Sequence, residues 1–116
     1  MKKILIIDDD PSIQEYLIDL FEDNGYFTAS AINVEEALEL VNSEPFDLIT
    51  LDLEMPGEWG PRFYSKMVQN TTLKNIPVVV ISGMSGNEYA ISKAVASLTK
   101  PFDRKELLKI VQDILN

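Results

Sequence analysis

Asp52 follows an apolar run, Phe46-Asp47-Leu48-Ile49-Thr50-Leu51, and opens onto Leu53-Glu54-Met55-Pro56-Gly57. Other chemically able residues stand in similar places. Asp8-Asp9-Asp10 follows Ile4-Leu5-Ile6-Ile7, Ser82 follows Pro77-Val78-Val79-Val80-Ile81, and Lys100 comes just before Pro101. Adjacent carboxylates at a strand end make a poor core and a good site for a hard divalent cation. Mg²⁺ typically takes one or two carboxylates and keeps several waters. A carboxylate can also act as a nucleophile and form an acyl phosphate. Such a transfer depends mainly on positioning and on neutralising the phosphoryl oxygens. In this chemistry Asp8, Asp9 and Asp52 hold the metal and Asp52 is the nucleophile. Lys100 pairs with the phosphoryl group, and Ser82 hydrogen-bonds another of its oxygens. Taken singly, each residue has a blander reading. Asp10 caps a helix before Pro11, Asp8 and Asp9 are loop acids, Ser82 is a loop serine and Lys100 a surface lysine. The inference rests on their joint placement.

The elements that must bring these groups together read as apolar runs alternating with helical periodicity. Ile4 to Ile7 is a short continuous run, as in a strand covered on both faces. Pro11 opens a helix at a position where its missing N–H does no harm. Ile13, Tyr16, Leu17, Leu20 and Phe21 fall on one face of it, and Asn24-Gly25 ends it. Tyr26 to Ala31 reads as a weaker strand nearer an edge. Asn33, with Glu36 three residues on, resembles a capping box, and Val34, Ala37, Leu38 and Val41 form the next buried stripe. Phe46 to Leu51 and Ile76 to Ile81 are further strands, with a helix over roughly Pro61 to Gln69 between them. A helix near Asn87 to Ala94 and a short strand near Val95 to Thr99 share a cramped interval. Asp103 starts a last helix with Leu107, Leu108, Val111, Ile114 and Leu115 on its apolar face. Five βα repeats imply a parallel sheet with helices on both faces. In such a sheet the C-terminal strand ends share one edge, where ligands bind.

The 116 residues argue for a single domain over 1–116. The net charge of −9, from 19 acidic and 10 basic residues, disfavours direct binding to nucleic acid or anionic membrane. With no cysteine and no histidine, thiol catalysis, imidazole acid–base chemistry and His-ligated metal are absent. The apolar run after Lys2-Lys3 is too short for a signal peptide. No segment approaches a membrane span, so a cytoplasmic location is expected.

At this point the chain resembles the receiver domain of two-component response regulators, essentially from Lys3 to Leu115. Ile4 to Pro11 is similar to the family's acidic-pair motif, and Asp47 to Gly57 to its phosphoacceptor motif. Pro77 to Gly83 resembles the hydroxyl strand, and Leu98-Thr99-Lys100-Pro101-Phe102 the lysine motif. Four motifs in the right order are a specific signal. The resemblance implies a flavodoxin-like (βα)5 fold, doubly wound, with a five-stranded parallel sheet of strand order 2-1-3-4-5. It implies that Asp52 accepts a phosphoryl group from a phosphohistidine on a sensor histidine kinase or histidine phosphotransfer protein, switching contact with a downstream protein target. It further implies Mg²⁺ held by Asp8, Asp9, Asp52 and the backbone carbonyl of Glu54, phosphate sensing by Ser82 and Lys100, and a cis Lys100–Pro101 peptide.

Two departures from the family pattern stand out. Ser97 occupies a position where the family usually has an aromatic switch residue, and the interval from Ser82 to Lys100 is short, with a shortened fourth helix region. Both bear on how phosphorylation is read out. Two rival readings exist. One keeps the fold and discards the chemistry, giving a phosphorylation-independent interaction module. The other is a Mg²⁺-dependent phosphatase similar to the haloacid dehalogenase superfamily, with Asp8-x-Asp10-x-Ser12 as nucleophile motif; it leaves Asp52 and its surroundings unexplained. No effector domain follows Asn116, so a stand-alone receiver that signals without turning over a substrate is the expected form.

Overall fold

The computed structural model describes residues 1–52, 65–66, 69, 75–82 and 96–116. Their strands are β1 (Lys3–Ile7), β2 (Phe27–Ala31), β3 (Leu48–Leu51), β4 (Val78–Ser82) and β5 (Ala96–Thr99). Their long helices are α1 (Pro11–Glu22), α2 (Val34–Ser43) and α3 (Arg104–Leu115). Strand neighbours are parallel throughout, in the order β2-β1-β3-β4-β5.

Continuous apolar strands exist because both faces of this sheet are covered. Successive side chains of a strand point to opposite faces, and the core divides accordingly. Leu5, Ile7, Ile49, Leu51, Val78 and Val80 face one way and pack with Val34, Ala37 and Val41 of α2. Ile4, Ile6, Leu48, Val79 and Ile81 face the other way and pack with Leu17 and Phe21 of α1 and Leu107 and Val111 of α3. β2 lies at the sheet edge, with Phe27 exposed and Thr28 to Ser30 half-buried.

Helix starts follow side-chain chemistry. Asp10 accepts a hydrogen bond from the Ser12 N–H at 2.9 Å, and Asp103 from the Lys105 N–H at 2.8 Å. Asn33 Oδ1 accepts from the Glu36 N–H at 2.8 Å, while Glu36 accepts from the Ile32 N–H, one residue before the cap. The bonds from Ser12, Glu36 and Lys105 each satisfy a donor that the first helical turn leaves free. α1 ends on Asp23, and Gly25 follows with φ of 90°. That left-handed conformation favours glycine.

Two details differ from the sequence reading. Tyr16 is 42% exposed rather than buried on α1; its ring meets Phe102 edge-on, with centroids 6.0 Å apart. The inward position beside it belongs to Gln14, which is buried with Leu17, Leu20 and Phe21. β3 starts at Leu48; the Asp47 N–H still donates to the Lys3 carbonyl at 2.8 Å, while its carboxylate accepts the Lys3 N–H at 2.8 Å. The predicted helix near Asn87 to Ala94 lies outside the described residues, and so does most of the Pro61 to Gln69 helix, of which Ser65 and Lys66 are helical.

Candidate functional site

β1 and β3 are adjacent and parallel, with Ile7 opposite Leu51. The next residue of each strand is therefore an aspartate, Asp8 beside Asp52, and the Asp52 N–H still donates to the Ile7 carbonyl at 2.9 Å. Asp8 is 2% exposed and Asp52 4% exposed. Carboxylate oxygens of Asp8, Asp9 and Asp52 all lie within 4.8 Å of one another, with Asp9 on the exposed side. β5 ends at Thr99, opposite Ser82 at the end of β4. Lys100 then reaches back across the sheet edge to the carboxylates. Its Nζ is 2.8 Å from Asp8 Oδ2 and 3.6 Å from Asp52 Oδ2.

The acid-bearing turn is held from within. Asp8 Oδ1 accepts the Asp10 N–H at 2.9 Å while its Oδ2 faces Lys100. Gln14 Nε2 donates to the Asp8 carbonyl and to the Ala31 carbonyl, each at 2.8 Å. The sequence reading did not single out Gln14. The available signal was its spacing, three before Leu17 and seven before Phe21, which puts a polar group on the buried side of α1.

Burial alone would lower the Lys100 pKa. The hydrogen bond to Asp8, the charge of Asp8 and the charge of Asp52 outweigh it, so the pKa rises above 10.5. Because the folded value is raised, the ammonium contributes stability that is present below pH 10.5 and is lost as pH rises through the folded pKa. In metal-free buffer, Lys100→Met should lower stability by about 2 kcal/mol. This is below the roughly 3–5 kcal/mol for breaking a fully buried pair, because the Lys100 side chain keeps 22% exposure. Urea melts should show a constant gap between wild type and variant from neutral pH to pH 9, narrowing above 10.5. A gap that widens in alkali would refute the assignment.

The other predicted residues are located by backbone. Ser82 closes β4, and Ser97 lies within β5 opposite Val80. The Lys100–Pro101 peptide is cis. Glu54 lies outside the described residues. Among the described residues, no helix is long and apolar enough to cross a membrane.

The chain matches the model of the response regulator receiver domain over residues 4–112. It is 40% identical over 113 residues to protein Rrf1 of Nitratidesulfovibrio vulgaris, covering 97% of this chain and 82% of that protein. It is 34% identical to the sporulation initiation phosphotransferase F of Bacillus subtilis, covering 98% of this chain and 94% of that protein. The chain spans about half the length of several other curated relatives. Among solved structures, the response regulator TrrA of Thermotoga maritima, in complex with Mg²⁺ and BeF, superposes with a TM-score of 0.89 at 32% identity, covering 99% of this chain and 100% of that one. The parallel sheet, the acids gathered at its C-terminal edge and the match over residues 4–112 agree on one conclusion: the chain belongs to the response regulator receiver domain family.

Proposed function

We propose that Asp52 is the phosphoacceptor of this receiver. The observation that carries the reading is the juxtaposition of Asp8, Asp9 and Asp52 with Lys100 alone among the described cations within 4.0 Å of them. Among the described residues, three carboxylates face one ammonium, an excess of negative charge, and the carboxylate donors are hard oxygens. That donor set fits Mg²⁺, with the Glu54 carbonyl as a further ligand. When bound, the ion neutralises charge on the carboxylates and on phosphoryl oxygens. The neighbour solved with Mg²⁺ and BeF supports the same reading.

In the transfer, an Asp52 carboxylate oxygen forms a bond to phosphorus as the phosphorus–nitrogen bond of a donor phosphohistidine breaks, leaving an acyl phosphate on Asp52. Lys100 Nζ, 3.6 Å from Asp52 Oδ2, neutralises one phosphoryl oxygen, and the Ser82 hydroxyl hydrogen-bonds another. Asp8 orients Lys100 through the 2.8 Å contact. The partners are a histidine kinase or a histidine phosphotransfer protein, and a downstream protein target; direct nucleic-acid contact is no part of the proposal. The chain acts in the cytoplasm as one domain over 1–116, with a (βα)5 fold and a shortened fourth helix region. It is a signalling acceptor rather than an enzyme with turnover. Ser97, in place of an aromatic, implies that the response reaches the β5 face by a different route.

Trp59 is the only tryptophan and follows Asp52 by seven residues. Its fluorescence in wild-type protein should change on titration with Mg²⁺ and again on adding beryllofluoride, a phosphoryl mimic. If calorimetry under the same conditions registers neither ligand, the proposal fails.

A further inference from the structure

Gln14 is the polar residue on the buried side of α1, 9% exposed. It takes no part in the chemistry above. A buried amide needs partners for both of its hydrogens, and here both go to backbone carbonyls, of Asp8 and of Ala31. Two carbonyl oxygens can be served only by the NH₂ end of the side chain, so the partners fix which way the amide points.

The location of those carbonyls gives the contact its meaning. The β1–β2 ladder ends at the pair Ile7–Ala31. One more backbone bond, from the Asp8 N–H to the Ala31 carbonyl at 3.1 Å, lies past it. There the chain leaves the sheet to enter the acidic turn. Gln14 binds the last carbonyl of β2, beside the Asp8 N–H that also reaches it, and the first carbonyl beyond β1, that of Asp8.

We propose that Gln14 is a positioning residue for the carboxylate site: it holds the backbone of Asp8 against the end of β2, and so fixes the direction from which the Asp8 and Asp9 carboxylates meet a divalent cation. The inference rests on the cation-site reading above. Outer partners that orient metal ligands are worth about 10–100-fold in metal affinity when removed. Gln14 acts one step further back, through backbone, so the lower end of that range applies.

The test compares Gln14→Met, which keeps the volume and removes both donors, with Val41→Ala, a cavity in the opposite core cluster. Calorimetric titration with Mg²⁺ alone should show affinity about tenfold weaker in Gln14→Met and unchanged in Val41→Ala, although urea melts show both destabilised. The Asp10 amide, which donates to Asp8, should exchange faster with solvent in Gln14→Met while the amides of Ile4 to Ile7 do not. A Gln14→Met protein that binds Mg²⁺ as tightly as wild type overturns the inference and leaves the site reading intact. A wild type that binds no Mg²⁺ overturns both. Wild-type protein supplies a further measurement should Gln14→Met not fold. Both Gln14 side-chain amide hydrogens should be protected from exchange, and protected further by Mg²⁺; unprotected hydrogens overturn the proposal.

Discussion

Asp52→Asn protein should accept no phosphoryl group from a phosphorylated histidine donor and should remain folded. The substitution keeps the shape and removes the nucleophile, because a carboxamide oxygen does not form a stable acyl phosphate. Asp8 and Asp9 stay in place, so the variant also separates two chemistries. If Asp8 were the nucleophile, as in the phosphatase reading, the acid-labile phosphate would persist in Asp52→Asn. The effect on stability follows from charge balance. Asp52 loses an attraction to Lys100 across 3.6 Å and two repulsions from acids within 4.8 Å. At an effective dielectric constant of about 20, each such pair is worth roughly 3–5 kcal/mol before screening. Among these described groups, one attraction is lost against two repulsions, so their combined contribution to stability in metal-free buffer is unchanged or raised. Intact-mass measurement after incubation with the donor, beside a urea melt, reads both. Phosphorylation equal to wild type would end the assignment of Asp52.

The largest loss of stability should come from Phe21→Ala. Phe21 is fully buried and packs edge-on against Tyr26, with ring centroids 6.5 Å apart and planes at 83°. It belongs to the cluster that joins α1 and α3 to one face of the sheet. Truncating a buried phenylalanine costs about 3–5 kcal/mol, from lost transfer energy and the cavity left behind. Domains of this size are stable by only about 5–15 kcal/mol. With a urea slope near 2 kcal/mol per molar, the midpoint should fall by about 2 M. Phe27, the same residue type at 55% exposure on the edge strand, is the control. Phe27→Ala should stay within about 0.5 kcal/mol of wild type. Equal losses at the two positions would mean that burial does not control stability here.

The parallel α/β arrangement was legible because its strands are uninterrupted apolar runs and its helices carry caps at their starts. Asp10, Asn33 and Asp103 each mark a helix N-terminus by chemistry that operates within a few residues. The gathering of Asp8, Asp9, Asp52 and Lys100 was legible for a topological reason, since parallel strands deliver their ends to one edge. Contacts that depend on tertiary geometry were not legible. Tyr16 and Gln14 are two positions apart on α1, and periodicity chose the larger apolar body for the inside. The structure instead buries the amide, which donates to the Asp8 and Ala31 carbonyls where the β1–β2 ladder ends. Likewise Asp47 looked like part of a strand, while its side chain serves the Lys3 N–H.

The contact between Lys100 and Asp8 joins residues 92 positions apart, and this has a consequence for how the protein is made. During synthesis at roughly 5–20 residues per second, Asp8 leaves the ribosome several seconds before Lys100 exists. Throughout that interval the growing chain carries its acids without their ammonium, and no β5 is available to bring it. The edge gains its ammonium only after Lys100 has emerged and β5 has joined the sheet. A nascent chain that has not yet reached Lys100 therefore holds the acids of this edge without the ammonium that faces them.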